Sequence, residues 1–425
     1  MVAAALVLIM TPGVAFFYGG MVRAKSVISM MMMSFGSIGL IGVLWVIYGY
    51  SMSFGVAGAD GKFTSWLIKG WLLNPFADFL MKNEISFTGK PAVGSYASGN
   101  MTLDIHGLAF AGFQATFAII TVALISGAIA DRARFGPWMI FAGVWATLVY
   151  FPVASWVFNF SSTFDASGKT VDGGWSVFGL GVNDFAGGTA VHINAGAAGL
   201  ALALVLGKRV GFAKGMAKPH NVPLTLLGAA LLWFGWFGFN AGSEGAADGV
   251  SALAWINTLG APAAGILGWL IVEKLKDGKP TSIGAASGAV AGLVAITPAC
   301  NILTPGWALV LGILVGAICA LAIDLKFKLG FDDSLDVVGI HLVGGLVGTL
   351  YIGIFGSGIG LIDSGKFNQL GAQALGGFGV AIYSFVLAYA IGWVIQKTIG
   401  FRITNEDEVA GVDTIVHGEE AYEIA

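Results

Sequence analysis

Two histidines, His192 and His341, each stand eight residues after an aspartate, in Asp184-Phe-Ala-Gly-Gly-Thr-Ala-Val-His192 and Asp333-Ser-Leu-Asp-Val-Val-Gly-Ile-His341. Both lie inside long apolar stretches, where an ionisable side chain is costly and is therefore a functional candidate. A neutral imidazole there can donate a hydrogen bond through one ring nitrogen and accept through the other, and it can pass a proton. The plainer reading is that each histidine bonds a neighbouring helix and holds the bundle. Matched spacing in two separate stretches speaks against that for the pair. No metal site is implied, because two imidazoles are too few ligands and no cysteine or carboxylate lies at comparable depth. The other histidines sit at the start of a stretch (His106), in a basic loop (His220) and near the C-terminus (His417). The aspartates precede helix starts, where Asp184 on one side and Asp333 or Asp336 on the other can accept backbone N–H bonds. Capping would leave Asp184 able also to favour a cation nearby.

A second set of residues is aromatic. Phe113 and Phe117 are spaced i, i+4 on one helix face. Trp236-Phe-Gly-Phe239-Asn-Ala-Gly-Ser243 combines rings, close-packing glycines and a hydroxyl, and Tyr150-Phe-Pro-Val-Ala-Ser-Trp156-Val-Phe158 ends another apolar stretch. Aromatic faces attract cations by about 0.5–2 kcal/mol each, and a serine oxygen accepts a hydrogen bond. Together they suit a small monovalent cation. No carboxylate cluster or carbonyl-lined filter suggests a metal-ion channel. Neither a phosphate-binding loop nor a hydrolase motif is present.

The elements that must position these residues follow from composition. With 425 residues, 56% hydrophobic, 11% charged and 65 glycines, the chain is too apolar for a soluble fold. Its mean hydropathy is +0.83. A net charge of −3 gives no reason to expect nucleic-acid binding, and two cysteines make neither a disulfide framework nor a zinc site. Apolar runs of membrane-spanning length are expected at about 1–20, 27–54, 105–130, 137–158, 185–207, 222–243, 250–273, 282–299, 306–325, 336–356 and 373–397. This is an all-α polytopic membrane protein with eleven transmembrane helices. The alternate connections hold Arg23, Lys25, Arg132, Arg134, Lys208, Arg209, Lys214, Lys218, Lys274, Lys276, Lys279, Lys326 and Lys328, which with Lys397 and Arg402 of the tail make 15 of the 21 basic residues. The opposite side carries Lys62, Lys69, Lys82, Lys90, Lys169 and Lys366. The positive-inside rule therefore puts the N-terminus outside and the C-terminus in the cytoplasm. No cleavable signal peptide is readable, and the first span is short, so its helix starts at the membrane face or the chain begins further upstream. The acidic tail, 399–425, reads as a solvated cytoplasmic segment.

The histidines belong to the fifth and tenth spans. Five spans followed by five more run with opposite topology, an inverted repeat with halves at about 1–207 and 222–356 and an eleventh helix beyond. At ~1.5 Å per residue, each imidazole lies about 12 Å from its own end of a core ~30 Å thick. They approach the midplane from opposite faces, which makes a facing pair the economical expectation.

These residues resemble the ammonium transporter (Amt/Mep/Rh) family, bacterial Amt branch. The likeness runs from Pro12-Gly-Val-Ala-Phe-Phe-Tyr-Gly-Gly20 through Gly-Val-Asp413-Thr-Ile-Val-His417-Gly-Glu-Glu-Ala-Tyr422 and is most specific around Asp184–His192 and Trp236–Ser243. It implies a homotrimeric ammonium transporter of the cytoplasmic membrane serving nitrogen uptake, with a transmembrane domain over 1–398 and no cofactor. Recruitment at the outer mouth would fall to Ser243, Phe113, Phe117 and the acidic Asp184. Phe117 and Phe239 would form a gate, and His192 and His341 a twin-histidine pore conducting NH₃. Phe158 stands where the family usually has a tryptophan, with Trp156 two residues earlier, and either could form the cation platform. The tail, 399–425, resembles a regulatory segment controlled by PII-type proteins. Two alternatives remain within this resemblance, a passive NH₃/CO₂ channel of the Rh type and an ammonium sensor.

Overall fold

The structure, a computed structural model, describes residues 1–55, 66–82, 95–98, 101–159, 173–212 and 218–422. Lys62, Lys90, Lys169 and Lys214 of the charge pattern therefore lie outside the described residues.

All eleven apolar stretches form helices. These are α1 (Val2–Met21), α2 (Ala24–Phe54), α3 (Gly107–Ile129), α4 (Phe135–Phe158), α5 (Gly188–Leu206), α6 (Val222–Glu244), α7 (Gly249–Lys276), α8 (Ser282–Ile296), α9 (Pro305–Leu329), α10 (Val338–Phe355) and α11 (Asn368–Thr398). Among the described residues, ten are long and apolar enough to cross a membrane; α8 is the exception. Its 15 residues reach only about 22 Å at the helical rise. It stops at Ile296 rather than 299 because Pro298 has no N–H with which to continue the ladder. The helical reading also missed two small hairpins between α2 and α3, β1 (Trp66–Ile68) with β2 (Leu72–Leu73) and β3 (Ser95–Ser98) with β4 (Met101–His106). Since β4 runs through His106, α3 begins at Gly107.

Large apolar side chains cover the outside. Phe234, Leu267, Ile271, Ile382, Val386 and Trp393 are each at least half exposed, which a bilayer tolerates and water does not. Inside, glycines bring helices into backbone contact. A Cβ at Gly228 of α6 would lie 2.2 Å from the Phe17 nitrogen of α1. One at Gly316 of α9 would lie 2.2 Å from the Gly265 carbonyl oxygen of α7. Association in lipid depends on such close packing, which accounts for the glycine content.

The end of the bundle nearest the C-terminus is tied by ion pairs. Arg209 donates to both oxygens of Asp332 (2.9 Å each) and to Asp131 at 3.1 Å, and Asp332 is fully buried. Burial alone would raise the Asp332 carboxyl, but bonds from Arg209 and the charges of Arg132 and Arg209 outweigh it and leave it below its ordinary value. A depressed carboxyl contributes stability that is present above the unfolded pKa and lost as pH falls through the folded one. Arg209→Ala strands a buried charge and is expected to cost about 3–5 kcal/mol, read as a lower Tm in detergent at neutral pH. The same substitution should cost less once acid has protonated Asp332.

The tail is not simply solvated. Arg402 donates to Leu206 O and to Glu408 at 2.8 Å each, and Glu408 accepts the Val210 N–H at 2.7 Å. Helix α12 (Asn405–Ala410) is capped by Thr404. Beyond it, Asp413 accepts the Ile28 and Ser29 N–H groups at 3.0 and 2.8 Å, close to the start of α2. His220 bridges Val22 O and the Tyr422 hydroxyl, each at 2.8 Å. An acidic segment folds back here because helix starts and basic loops supply the donors that its carboxylates need.

Candidate functional site: a buried histidine pair behind an aromatic stack

Both histidines sit in π-helical turns that open their helices, Gly188–Ile193 in α5 and Val338–Leu342 in α10. Such turns widen the ladder by one residue and recur at functional sites. Gly187 makes the first possible: its φ is 120°, and its carbonyl accepts N–H bonds from both Val191 and His192. Asp184 fixes this start by accepting the N–H groups of Gly187 (2.9 Å), Gly188 (2.6 Å) and Thr189 (2.7 Å) and the Thr189 hydroxyl. Asp333 does the same for α10 through Val337 and Val338, at 3.1 and 2.7 Å. Asp336 instead pairs with Lys326, so Asp333 is the cap. Asp184 was expected also at the recruitment site. Its oxygens are taken up by its own helix, so it can act on a cation there only through charge at a distance.

These caps bring the rings together. His192 Nδ1 lies 3.2 Å from His341 Nδ1, with ring centroids 5.3 Å apart and planes 22° apart. His192 is 1% and His341 4% exposed. The ring whose Nδ1 donates has a bare Nε2, whereas its partner carries its proton on Nε2. The pair therefore presents one acceptor and one donor. His192 Nε2 is buried with no partner among the described residues, a costly arrangement in an apolar site.

The expected gate residues also meet. The Phe117 and Phe239 centroids are 4.2 Å apart, Phe113 packs edge-on to Phe117 at 4.8 Å, and Phe239 lies over His192 at 6.1 Å. Phe158 stands 6.1 Å from Phe117. Trp156 does not join them. Its indole donates to Trp71 O at 2.7 Å and packs with Trp71, Trp175 and Tyr383. The Ser243 hydroxyl gives its hydrogen to Phe239 O at 2.7 Å, leaving its lone pairs as acceptors.

Behind the phenylalanines lies a narrow apolar cavity of about 10 Å³, lined by Tyr18, Leu124, Val191, His192, Trp236, Phe239 and His341 among others. Two of these were given no role beside the histidines from the sequence. Trp236 stacks on His192 at 5.4 Å while its Nε1 donates to Thr297; its i, i+3 spacing to Phe239 was the available signal. Tyr18 donates its hydroxyl to Leu124 O, and only its polarity in an apolar helix marked it.

Apolar helices, an exposed apolar belt and a buried path ending on two imidazoles define a multi-pass membrane protein. The chain belongs to the ammonium transporter family, whose model (Ammonium Transporter Family) matches residues 1–422. It is 50% identical to an ammonium transporter of Mycobacterium tuberculosis over 443 aligned positions, covering 100% of this chain and 89% of that one. Its fold is similar to Saccharomyces cerevisiae Mep2, with a TM-score of 0.81, 32% identity, and coverage of 95% of this chain and 86% of that one. It is also similar to a structure titled Sensor Amt Protein, with a TM-score of 0.82, 28% identity, and coverage of 98% and 96%. The relatives are named as transporters rather than enzymes.

Proposed function

We propose that the protein takes up ammonium across the cytoplasmic membrane, removing its proton at the aromatic gate and conducting NH₃ past the histidines. The observation that carries this is the unpartnered His192 Nε2 in the cavity behind Phe117 and Phe239. Magnitudes decide the order of events. Aromatic faces give a cation about 0.5–2 kcal/mol each, far less than the cost of burying a bare charge in an apolar path. The ion is therefore held at the mouth by Ser243, Phe113, Phe117 and Phe158, and it enters the path only after losing its proton. Potassium has no proton to lose and is excluded.

Beyond the gate, NH₃ meets one acceptor and one donor on the imidazole pair, so it is guided without being trapped. The departing proton crosses separately along the histidines, making transport electrogenic. The halves 1–207 and 222–356 act as an inverted repeat with the N-terminus outside, three chains form a homotrimer, and the docked tail receives a PII-type regulator in the cytoplasm.

An ammonium pulse applied to proteoliposomes, recorded by solid-supported membrane electrophysiology, tests the function. A transient current with a change of internal pH is expected; ammonia equilibration without current would leave the passive channel reading instead. The sensor reading draws on the similarity to the Sensor Amt Protein structure. A sensor should keep its signal when transport is abolished at His192.

A further inference from the structure

The geometry points to Glu244 as an additional cation-holding residue at the mouth, acting beside Ser243, a reading that rests on the transport function proposed above. Glu244 directly follows Ser243 and ends the turn Ala241–Glu244 that closes α6. The mouth is close by: a Cβ on Gly242 of the same turn would lie 3.2 Å from the Phe113 ring. Glu244 is only 7% exposed, yet among the described residues no N–H, hydroxyl or cationic side chain bonds its carboxylate.

In this it differs from its acidic neighbours. Asp184 is spent on the start of α5, and Asp248 caps α7 through the Val250 and Ser251 N–H groups, each at 3.0 Å. Glu244 lies within hydrogen-bond reach of Asp248. Two carboxyl groups so close repel unless a proton or a cation joins them. Ammonium suits that position, since it carries one charge and four N–H donors. The four rings that approach one another at the gate, Phe113, Phe117, Phe158 and Phe239, are all phenylalanines, weaker cation platforms than tryptophan. A buried carboxyl pair one residue from Ser243, with room for a cation in place of the shared proton, supplies what those faces lack.

Glu244→Gln keeps the shape and removes the charge. In proteoliposomes, half-saturation of the ammonium current should rise about fivefold, the upper end for a solvent-screened charge contact, with the maximal current largely retained. Glu244→Asp should recover part of the affinity. Unchanged half-saturation in the glutamine variant overturns the proposal, as does a loss of maximal current at unchanged half-saturation, which marks a structural role. Thermal stabilisation of the detergent-solubilised protein by ammonium chloride, against sodium chloride, reads the same contact without flux. The concentration giving half the shift should rise similarly in the variant, and equal curves overturn the proposal. A wild type that carries no current defeats the transport reading alone, and the thermal measurement still decides Glu244.

Discussion

His192→Ala is expected to remove the ammonium-induced current while the protein still assembles in the membrane. His192 holds the pair together through its Nδ1 contact with His341 at 3.2 Å and brings the unpartnered Nε2 to the cavity. Alanine deletes both, breaking the proton relay and leaving NH₃ no polar partner in an apolar path. The loss should be about a hundredfold or more, the lower end of what a positioned proton-transfer group contributes. Assembly should survive because the start of α5 is fixed by Asp184 and Gly187 rather than by the ring. His341→Asp makes a different prediction. It sets an acid at the same depth, able to hold a cation, so the variant should admit K⁺ or stall on ammonium. Membrane yield by fluorescence-detected size exclusion, alongside the current, separates lost function from lost folding.

Phe239→Ala should reduce or abolish flux. The Phe239 ring is fully buried, 4.2 Å from Phe117 and 6.1 Å from His192, so it separates the mouth from the histidines. Without it the cavity opens toward the mouth, and water competes for the imidazole nitrogen that NH₃ needs. Truncating a buried phenylalanine costs about 3–5 kcal/mol of packing, so Phe239→Leu serves as the companion variant that keeps most of the volume. Phe117→Ala, whose ring contacts the mouth aromatics Phe113 and Phe158, should weaken selectivity against other cations more than it slows transport. Normal selective flux in both alanine variants would refute the gate.

Spacing carried much of this site. Eight residues from Asp184 to His192 and from Asp333 to His341 implied opposed depths that nearly meet, and the rings do touch. What spacing could not show was the lateral contact or the π-helical turns that present each ring, because both depend on packing against other helices. The choice between Phe158 and Trp156 was illegible for a similar reason. Two positions differ by about 200° around a helix, so only one can face Phe117, and the neighbours decide which. Trp156 is claimed by Trp71, Trp175 and Tyr383. The docked tail lay further out of reach, since Glu408 and Asp413 find their donors on Val210, Ile28 and Ser29, far away in sequence. Asp184 was legible as a helix cap, which its bonds to Gly187, Gly188 and Thr189 show.

The central claim is that the two imidazoles carry both the solute and the proton. The most direct test is the ammonium-evoked current of reconstituted wild type and of a variant with His192→Ala and His341→Ala together, measured at matched protein density in solid-supported membrane electrophysiology. The account predicts a robust wild-type current and none above protein-free liposomes in the double variant. A full proton-coupled current in the double variant would contradict it and reduce the two histidines to packing residues.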